Sequence, residues 1–250
     1  MQDKPVALIT GANKGIGLQI AKDLAAHGLT VLVGSRNLEN GEAAAKSIGS
    51  DAHALQLDVT DQASIAAAAE RIRSEFGRLD VLVNNAGIAY AGKPGTPFEE
   101  RMKTNVPSMG SLDNMRAVFE TNVFGVAAVT QAMLPLLREA PAGRVVNVGS
   151  SAGSLTKGSD PNWEHRPLFG LAYSPSKTAL NAITLAFANE LEKTNIKVNV
   201  ACPGYTATDL NDHRGTRTVE QGAREAVRLA LIGPDGPTGR FSDEDGPVPW

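Results

Sequence analysis

Tyr173 and Lys177 stand four residues apart in Tyr173-Ser174-Pro175-Ser176-Lys177, so on a helix they share a face. A phenol with a pKa near ~10 is a poor acid–base catalyst at neutral pH. A neighbouring ammonium stabilises phenolate and lowers that value. An oriented phenol beside a lysine can therefore give a proton to a carbonyl oxygen while hydride reaches the carbon, or take it back in the reverse direction. Pro175 places the pair in the first turns of the helix, where its missing N–H matters least. A lone Tyr–Lys pair is common on protein surfaces, so its meaning depends on what surrounds it.

A second constellation lies near the start of the chain, in Thr10-Gly11-Ala12-Asn13-Lys14-Gly15-Ile16-Gly17. It follows an apolar strand-like run and opens a helical pattern. Gly11 permits the tight turn, Gly15 lets the backbone approach a pyrophosphate, and Gly17 lets helix and strand pack closely. The free N–H groups and positive dipole end of the helix then face the phosphates. The place of the triplet after the first strand gives it specificity that three glycines alone lack. The next strand ends Val33-Gly34-Ser35-Arg36-Asn37, without the acid that would grip a ribose 2′-hydroxyl. Arg36 and Lys14 can both face a 2′-phosphate, which favours NADP(H) over NAD(H).

The elements that must position these groups alternate along the chain. Residues 6–10, 30–33, 53–57, 81–84, 144–148 and 198–201 read as strands; residues 16–26, 43–48, 65–76 and 175–191 read as helices. Short apolar strands separated by helices imply parallel pairing through crossovers. The expected architecture is an α/β fold, a doubly wound parallel sheet of Rossmann-like type, in a single domain over 1–250. Segments 89–112, 154–171 and 233–250 read as irregular, and such segments are often binding loops.

Composition sets outer bounds. The 250 residues are 42% hydrophobic and 20% charged, with a net charge of −3. That suits a globular chain with a large core and argues against a strong nonspecific nucleic-acid binder. One cysteine, Cys202, excludes an internal disulfide framework. His27, His53, His165 and His213 show no metal-ligand spacing, and no metal is expected. No signal-peptide pattern is evident. No stretch reads as long enough to span a bilayer; the richest, 126–137, is interrupted by Thr130, Gln131 and Pro135. A reducing cytoplasm is the expected setting.

Taken in order, Gly11…Gly15…Gly17, Asn84-Asn85-Ala86-Gly87, the Tyr173–Lys177 segment and Pro203-Gly204 resemble the short-chain dehydrogenase/reductase family over nearly the whole chain. Residues 13–17 and 81–89 look especially like NADPH-dependent carbonyl reductases. The resemblance implies a serine after the fifth strand that bonds the substrate oxygen; matching places it on Ser150, with Ser151 as runner-up. It implies an asparagine supporting a water chain to the lysine. Asn122 is preferred over Asn105, which is followed by Pro107. It also implies cofactor contacts from Gly11, Asn13, Lys14, Gly15, Ile16, Gly17, Arg36, Asp58, Val59, Asn85, Ala86, Gly87, Tyr173, Lys177, Pro203, Gly204, Thr206 and Thr208. The expected activity is NADPH-dependent reduction of a small carbonyl compound, with Trp163, His165, Leu168 and Phe169 walling an apolar or aromatic pocket. A catalytically silent dinucleotide sensor is the rival reading. Homo-oligomers are possible in this family through helices 112–137 and 175–191.

Overall fold

The structure, a computed structural model, describes residues 4–93 and 95–250. Seven parallel strands and one antiparallel edge strand form a single sheet in the order β3-β2-β1-β4-β5-β6-β7-β8. The strands are β1 (Val6–Ile9), β2 (Thr30–Ser35), β3 (Ala52–Gln56), β4 (Val81–Asn84), β5 (Arg144–Val148), β6 (Lys197–Ala201), β7 (Phe241–Asp243) and β8 (Gly246–Pro247). The last two correct the reading of residues 233–250 as irregular. They are too short to produce an alternating or continuous apolar signal.

The central strands are mostly apolar because both faces are covered. Alternation sends Ala7, Ile9, Val31, Val33, Val81 and Val83 to one core. There they meet α1 (Gly15–Ala26), α2 (Leu38–Ile48) and α9 (Val219–Ala230). Leu8, Leu32, Leu82, Val145 and Val198 face the opposite way. They pack on α3 (Gln62–Phe76), α6 (Gly125–Arg138) and α8 (Tyr173–Glu190). Helix α9 is absent from the sequence reading, although Thr218 and Gln221 form a capping box at its start.

Two segments read as irregular contain short helices, α4 (Phe98–Thr104) and α7 (Leu155–Ser159), and α5 (Leu112–Phe119) opens where the first of these segments ends. Helix α5 runs through a π turn, Glu120–Phe124, into α6, giving a continuous helical stretch Leu112–Arg138 of 27 residues. By length and composition this stretch could cross a membrane, which corrects the expectation that none is long enough. Val118, Val126, Val129, Met133, Leu136 and Leu137 along it are buried in the protein's own core.

The strand order reverses between β1 and β4. Ligands bind in the crevice beyond the carboxyl ends of the strands at such a switch point.

Candidate active site

The glycine turn is built on backbone geometry. Gly11 and Gly15 have positive φ, 63° and 59°, conformations that side chains resist. A Cβ on Gly17 would fall 2.7 Å from the Gly11 carbonyl oxygen, so only glycine lets α1 approach the turn. Thr10 Oγ1 accepts hydrogen bonds from the main-chain N–H of Asn85 (3.0 Å) and Ala86 (2.9 Å). Asn85 Nδ2 donates to the carbonyls of Thr10 (2.8 Å) and Gly11 (3.1 Å). Asn85, an expected ribose contact, lines the cleft, and its amide hydrogens clamp the turn onto the segment after β4. Lys14, the N-cap of α1, makes no side-chain cap, so no capping side chain covers the first turn of the helix.

Beneath this crevice runs a buried polar chain that the sequence reading missed. Asn84 Nδ2 donates to Thr130 Oγ1 (3.0 Å) and Asn147 Oδ1 (2.8 Å), and Asn147 Nδ2 donates to Thr184 Oγ1 (2.8 Å). All four residues are buried. The chain ties β4, β5, α6 and α8 into one frame, and the only sequence hint was an amide near the end of each of two apolar strands.

The proton-transfer groups stand on that frame. Ser150 follows β5 and caps the 3₁₀ turn Ser151–Gly153, its Oγ accepting from Ala152 N–H at 3.2 Å. It also lies against the Tyr173 hydroxyl, close enough to draw its pKa down. Ser151, the runner-up, begins the turn instead. Lys177 is buried, its Nζ donating to the Val148 carbonyl at 2.9 Å and lying 5.7 Å from the centre of the Tyr173 ring. A Cβ on Gly153 would fall 2.7 Å from the Lys177 carbonyl carbon. The glycine therefore lets α8 lie against the turn that carries Ser150.

Burial pushes the Tyr173 phenol up to about 12, against the pull of Ser150. Burial pushes the Lys177 ammonium down to about 8. This corrects the expectation that the lysine lowers the tyrosine: desolvation dominates the shift, and Lys177 does not figure among its causes. At neutral pH the phenol is fully protonated and the amine is largely charged, the states a proton donor and its cationic helper require.

Asn122 lies in the π turn, and such turns often occur at functional sites. Its Oδ1 accepts from Ile88 N–H (2.9 Å); its Nδ2 donates to the Ile88 carbonyl (2.8 Å) and to Ser176 Oγ (3.0 Å). Both amide hydrogens are used, so the side chain positions its neighbours. Ser176, which the sequence reading passed over, also donates to the Tyr173 carbonyl at 2.6 Å. It thereby joins the π turn to the first turn of α8. Asn105, the discarded alternative, is the C-cap of α4.

The remaining expected residues line one cleft of about 870 Å³, which holds the glycine turn at one end and Tyr173 at the other. Asn13, Ile16, Arg36, Val59, Ala86 and Gly87 are on its wall, with Arg36 exposed at the end of β2. Asp58 is there too, its Oδ1 holding the N–H and hydroxyl of Thr60 (2.9 and 2.7 Å). Asp61 caps α3. Pro203, Gly204 and Thr208 border the far side. Thr206 lines it as well but is buried, its hydroxyl donating to the Pro203 carbonyl at 3.0 Å. Lys14 does not stand free for a phosphate: its Nζ lies 2.6 Å from Asp209 Oδ2 across the cleft. Trp163, His165 and Leu168 reach the wall, whereas Phe169 packs against Gly158.

The family model described as short chain dehydrogenase matches residues 5–218. The chain belongs to the short-chain dehydrogenase family. A short-chain dehydrogenase of Penicillium roqueforti, anuI, is 39% identical, with 92% of this chain and 90% of that protein covered. Carbonyl reductase [NADPH] 1 of Rattus norvegicus is 32% identical, with 99% of each chain covered. The solved structure of salutaridine reductase from Papaver somniferum superposes with a TM-score of 0.79 at 30% identity, covering 95% of this chain and 99% of that one. This short-chain dehydrogenase is thus an oxidoreductase of a family that uses NAD(P)(H). The open glycine turn and the uncapped α1 terminus fit the pyrophosphate of such a cofactor.

Proposed function

We propose that this short-chain dehydrogenase is an NADPH-dependent reductase of ketones and aldehydes. The observation that carries the proposal is the Tyr173 hydroxyl, beside Ser150 and backed by the Lys177 ammonium, in the same cleft as the glycine turn. The glycine turn would hold the pyrophosphate, and Arg36, with Lys14 once released from Asp209, would hold a 2′-phosphate. Asp58, Val59, Ala86 and Gly87 would border the adenosine and ribose, and Pro203, Gly204 and Thr208 the nicotinamide end. The bound dinucleotide supplies hydride.

The protein's own residues supply the rest. Ser150 orients the carbonyl oxygen toward Tyr173. Tyr173 gives its hydroxyl proton to that oxygen as charge develops there. The Lys177 ammonium, held by the Val148 carbonyl, stabilises the tyrosinate left behind until solvent returns the proton. Asn122 and Ser176 hold the segment that carries Tyr173. Trp163, His165 and Leu168 give the substrate end an apolar, aromatic wall, so bulky apolar or aromatic carbonyls are the favoured class.

The test is NADPH consumption with a panel of ketones and aldehydes. Wild type should turn over several members, and Tyr173→Phe should lose ~10²–10⁴-fold in rate while still binding NADPH. Tight NADPH binding with no turnover across a broad panel would establish the sensor reading instead.

A further inference from the structure

Beyond the catalytic groups, the outer rim of the cleft carries an arrangement of charges that the reaction itself does not need. The segment after β6 leaves at Tyr205 and returns at Arg217. Its two ends are joined: Thr206 pairs with Arg217 in a β-bridge, and the N–H groups of Thr216 and Arg217 donate to the Tyr205 carbonyl at 2.8 and 3.0 Å. Inside the loop, Asn211 Nδ2 holds the Thr206 carbonyl at 2.9 Å. Residues 205–217 are therefore a compact flap with a closed neck, of the kind seen in Ω-loops.

Two charged pairs join the tip of this flap to α4, far away in sequence. Arg101 Nη2 lies 2.5 Å from Asp212 Oδ1, and Arg214 pairs with Glu99. Both guanidinium groups lie over the ring of Phe98, Arg214 at 4.6 Å and Arg101 at 5.6 Å from its centre. Phe98 and Arg101 both face the cleft. Asp212 and His213 adopt left-handed backbone conformations, φ 53° and 58°, which non-glycine residues hold only when their surroundings demand it. Another charged attachment of the flap, Lys14–Asp209 with His213 at 2.9 Å from Asp209, lies at the phosphate side of the cleft. A cofactor phosphate would compete for Lys14, while the α4 pairs face no such competitor.

We propose that Arg101–Asp212 and Arg214–Glu99, closed around Phe98, form a clasp that positions flap 205–217 against α4 and so sets the size of carbonyl substrate the cleft accepts. This rests on the reductase reading for its substrate consequence, but the clasp itself is a physical contact that can be measured without turnover. Arg101, Arg214, Glu99 and Asp212 are positioning residues; none is assigned a part in proton transfer. Each exposed ion pair contributes little alone. Two pairs sharing one aromatic ring form a network, for which a several-fold population shift is reasonable.

The experiment compares wild type, Arg214→Glu, the charge swap Glu99→Arg with Arg214→Glu, and the milder Asp212→Asn. Amide hydrogen exchange is read over 207–214, and kcat and KM are read for one small aldehyde and one bulky polycyclic ketone. In Arg214→Glu, flap exchange should rise about 3- to 10-fold, and the bulky-to-small ratio of kcat/KM should rise about 3- to 10-fold through KM. The swap should restore both to within about 2-fold. Should Arg214→Glu fail to fold, Asp212→Asn decides the matter by the same exchange readout. Unchanged exchange and unchanged selectivity in a folded variant, or no rescue by the swap, overturn the clasp. If wild type reduces no carbonyl yet flap exchange responds as stated, the clasp stands and the reductase reading fails.

Discussion

The floor of the cleft and its outer rim are held by different kinds of bond. At the floor, Thr10, Asn84, Asn85, Asn122 and Asn147 hydrogen-bond to main chain or to one another, and Thr10, Asn84, Asn122 and Asn147 are buried. At the rim, α4, the 163–171 segment and flap 205–217 meet through charged pairs and half-buried rings; Asp212, Arg214 and Glu99 are open to water, and Arg101 is largely covered. Buried polar groups are costly to orphan, whereas solvated ion pairs are cheap to lose. The floor can therefore hold the reacting atoms fixed while the rim varies without unfolding the protein.

The comparison is broken most directly by removing a partner from the floor. Asn147→Ala strips Asn84 Nδ2 of an acceptor and Thr184 Oγ1 of a donor, both buried. The expected loss is about 2–4 kcal/mol of unfolding free energy by chemical denaturation. Arg214→Ala at the rim should lose under about 1 kcal/mol. Equal losses would erase the distinction.

Lys177 sharpens it through pH. Its folded pKa lies near 8, below the ordinary lysine value of 10.5. Between those values the unfolded chain binds a proton that the folded protein has released, so stability rises with pH across that window. The contribution approaches about 3 kcal/mol. Tyr173 adds the opposite slope above pH 10, because its phenol, pushed up to about 12, stays protonated in the fold while free tyrosine ionises. Urea denaturation of wild type and Lys177→Met between pH 7 and 10 should show the rise in wild type alone. Over the same range carbonyl reduction by wild type should decline as the ammonium is neutralised.

A smaller effect is expected where floor meets solvent, at Arg36. Its guanidinium at the end of β2 is exposed, with no acid beside it in Gly34-Ser35-Arg36-Asn37. Arg36→Ser should weaken NADPH binding about 10- to 100-fold and leave NADH within about 3-fold, read by fluorescence titration of each dinucleotide. Equal weakening of both would remove the basis for preferring NADP(H).

These unequal supports also explain what was legible in the sequence. The glycine turn, the central strands and the Tyr173–Lys177 spacing are local patterns whose geometry is dictated by nearby residues, and the structure forms a turn, strands and a helix there. Five strands were visible because burial on both faces makes each largely a run of apolar residues; β3, the sixth, is a partly exposed edge strand. Strands β7 and β8 were not, being three and two residues long and held mainly by pairing with β6 and each other. Helix α9 carries a strong capping signal, yet its Gly222 and Glu225 disguise it. Glu225 is buried because Arg228 and the Ser242 hydroxyl satisfy it, and Ser242 comes from a strand seventeen residues on. The bonds that decide side-chain roles were the least legible. Nothing local in Lys14 announces Asp209, and nothing in Arg101 announces Asp212, because loop closure alone brings those partners together. The Tyr173 pKa was misjudged for the same reason: the lysine is near in sequence, but desolvation is a property of the whole fold.

The smallest expected effect falls on the aromatic part of the rim. The Trp163 and His165 rings lie edge to face at 5.8 Å, and His165 lies 5.3 Å from Tyr205 at the neck of the flap. Trp163 thus supports a ring that bridges the 163–171 segment to the flap, and all three line the cleft. Trp163→Ala removes apolar wall but leaves no buried polar atom unpaired, since the Asp160 carbonyl is met by main-chain N–H of residue 163 whichever side chain stands there. Stability should therefore change by less than about 1 kcal/mol, and Tyr173 chemistry on a small aldehyde should persist. An aromatic ketone loses a stacking partner, so its kcat/KM should fall about 3- to 10-fold against the small aldehyde. A profile unchanged across bulky and small carbonyls would mean that Trp163 packs the rim without reading the substrate. A collapse in stability would place the tryptophan with the floor, against the division drawn between the two regions.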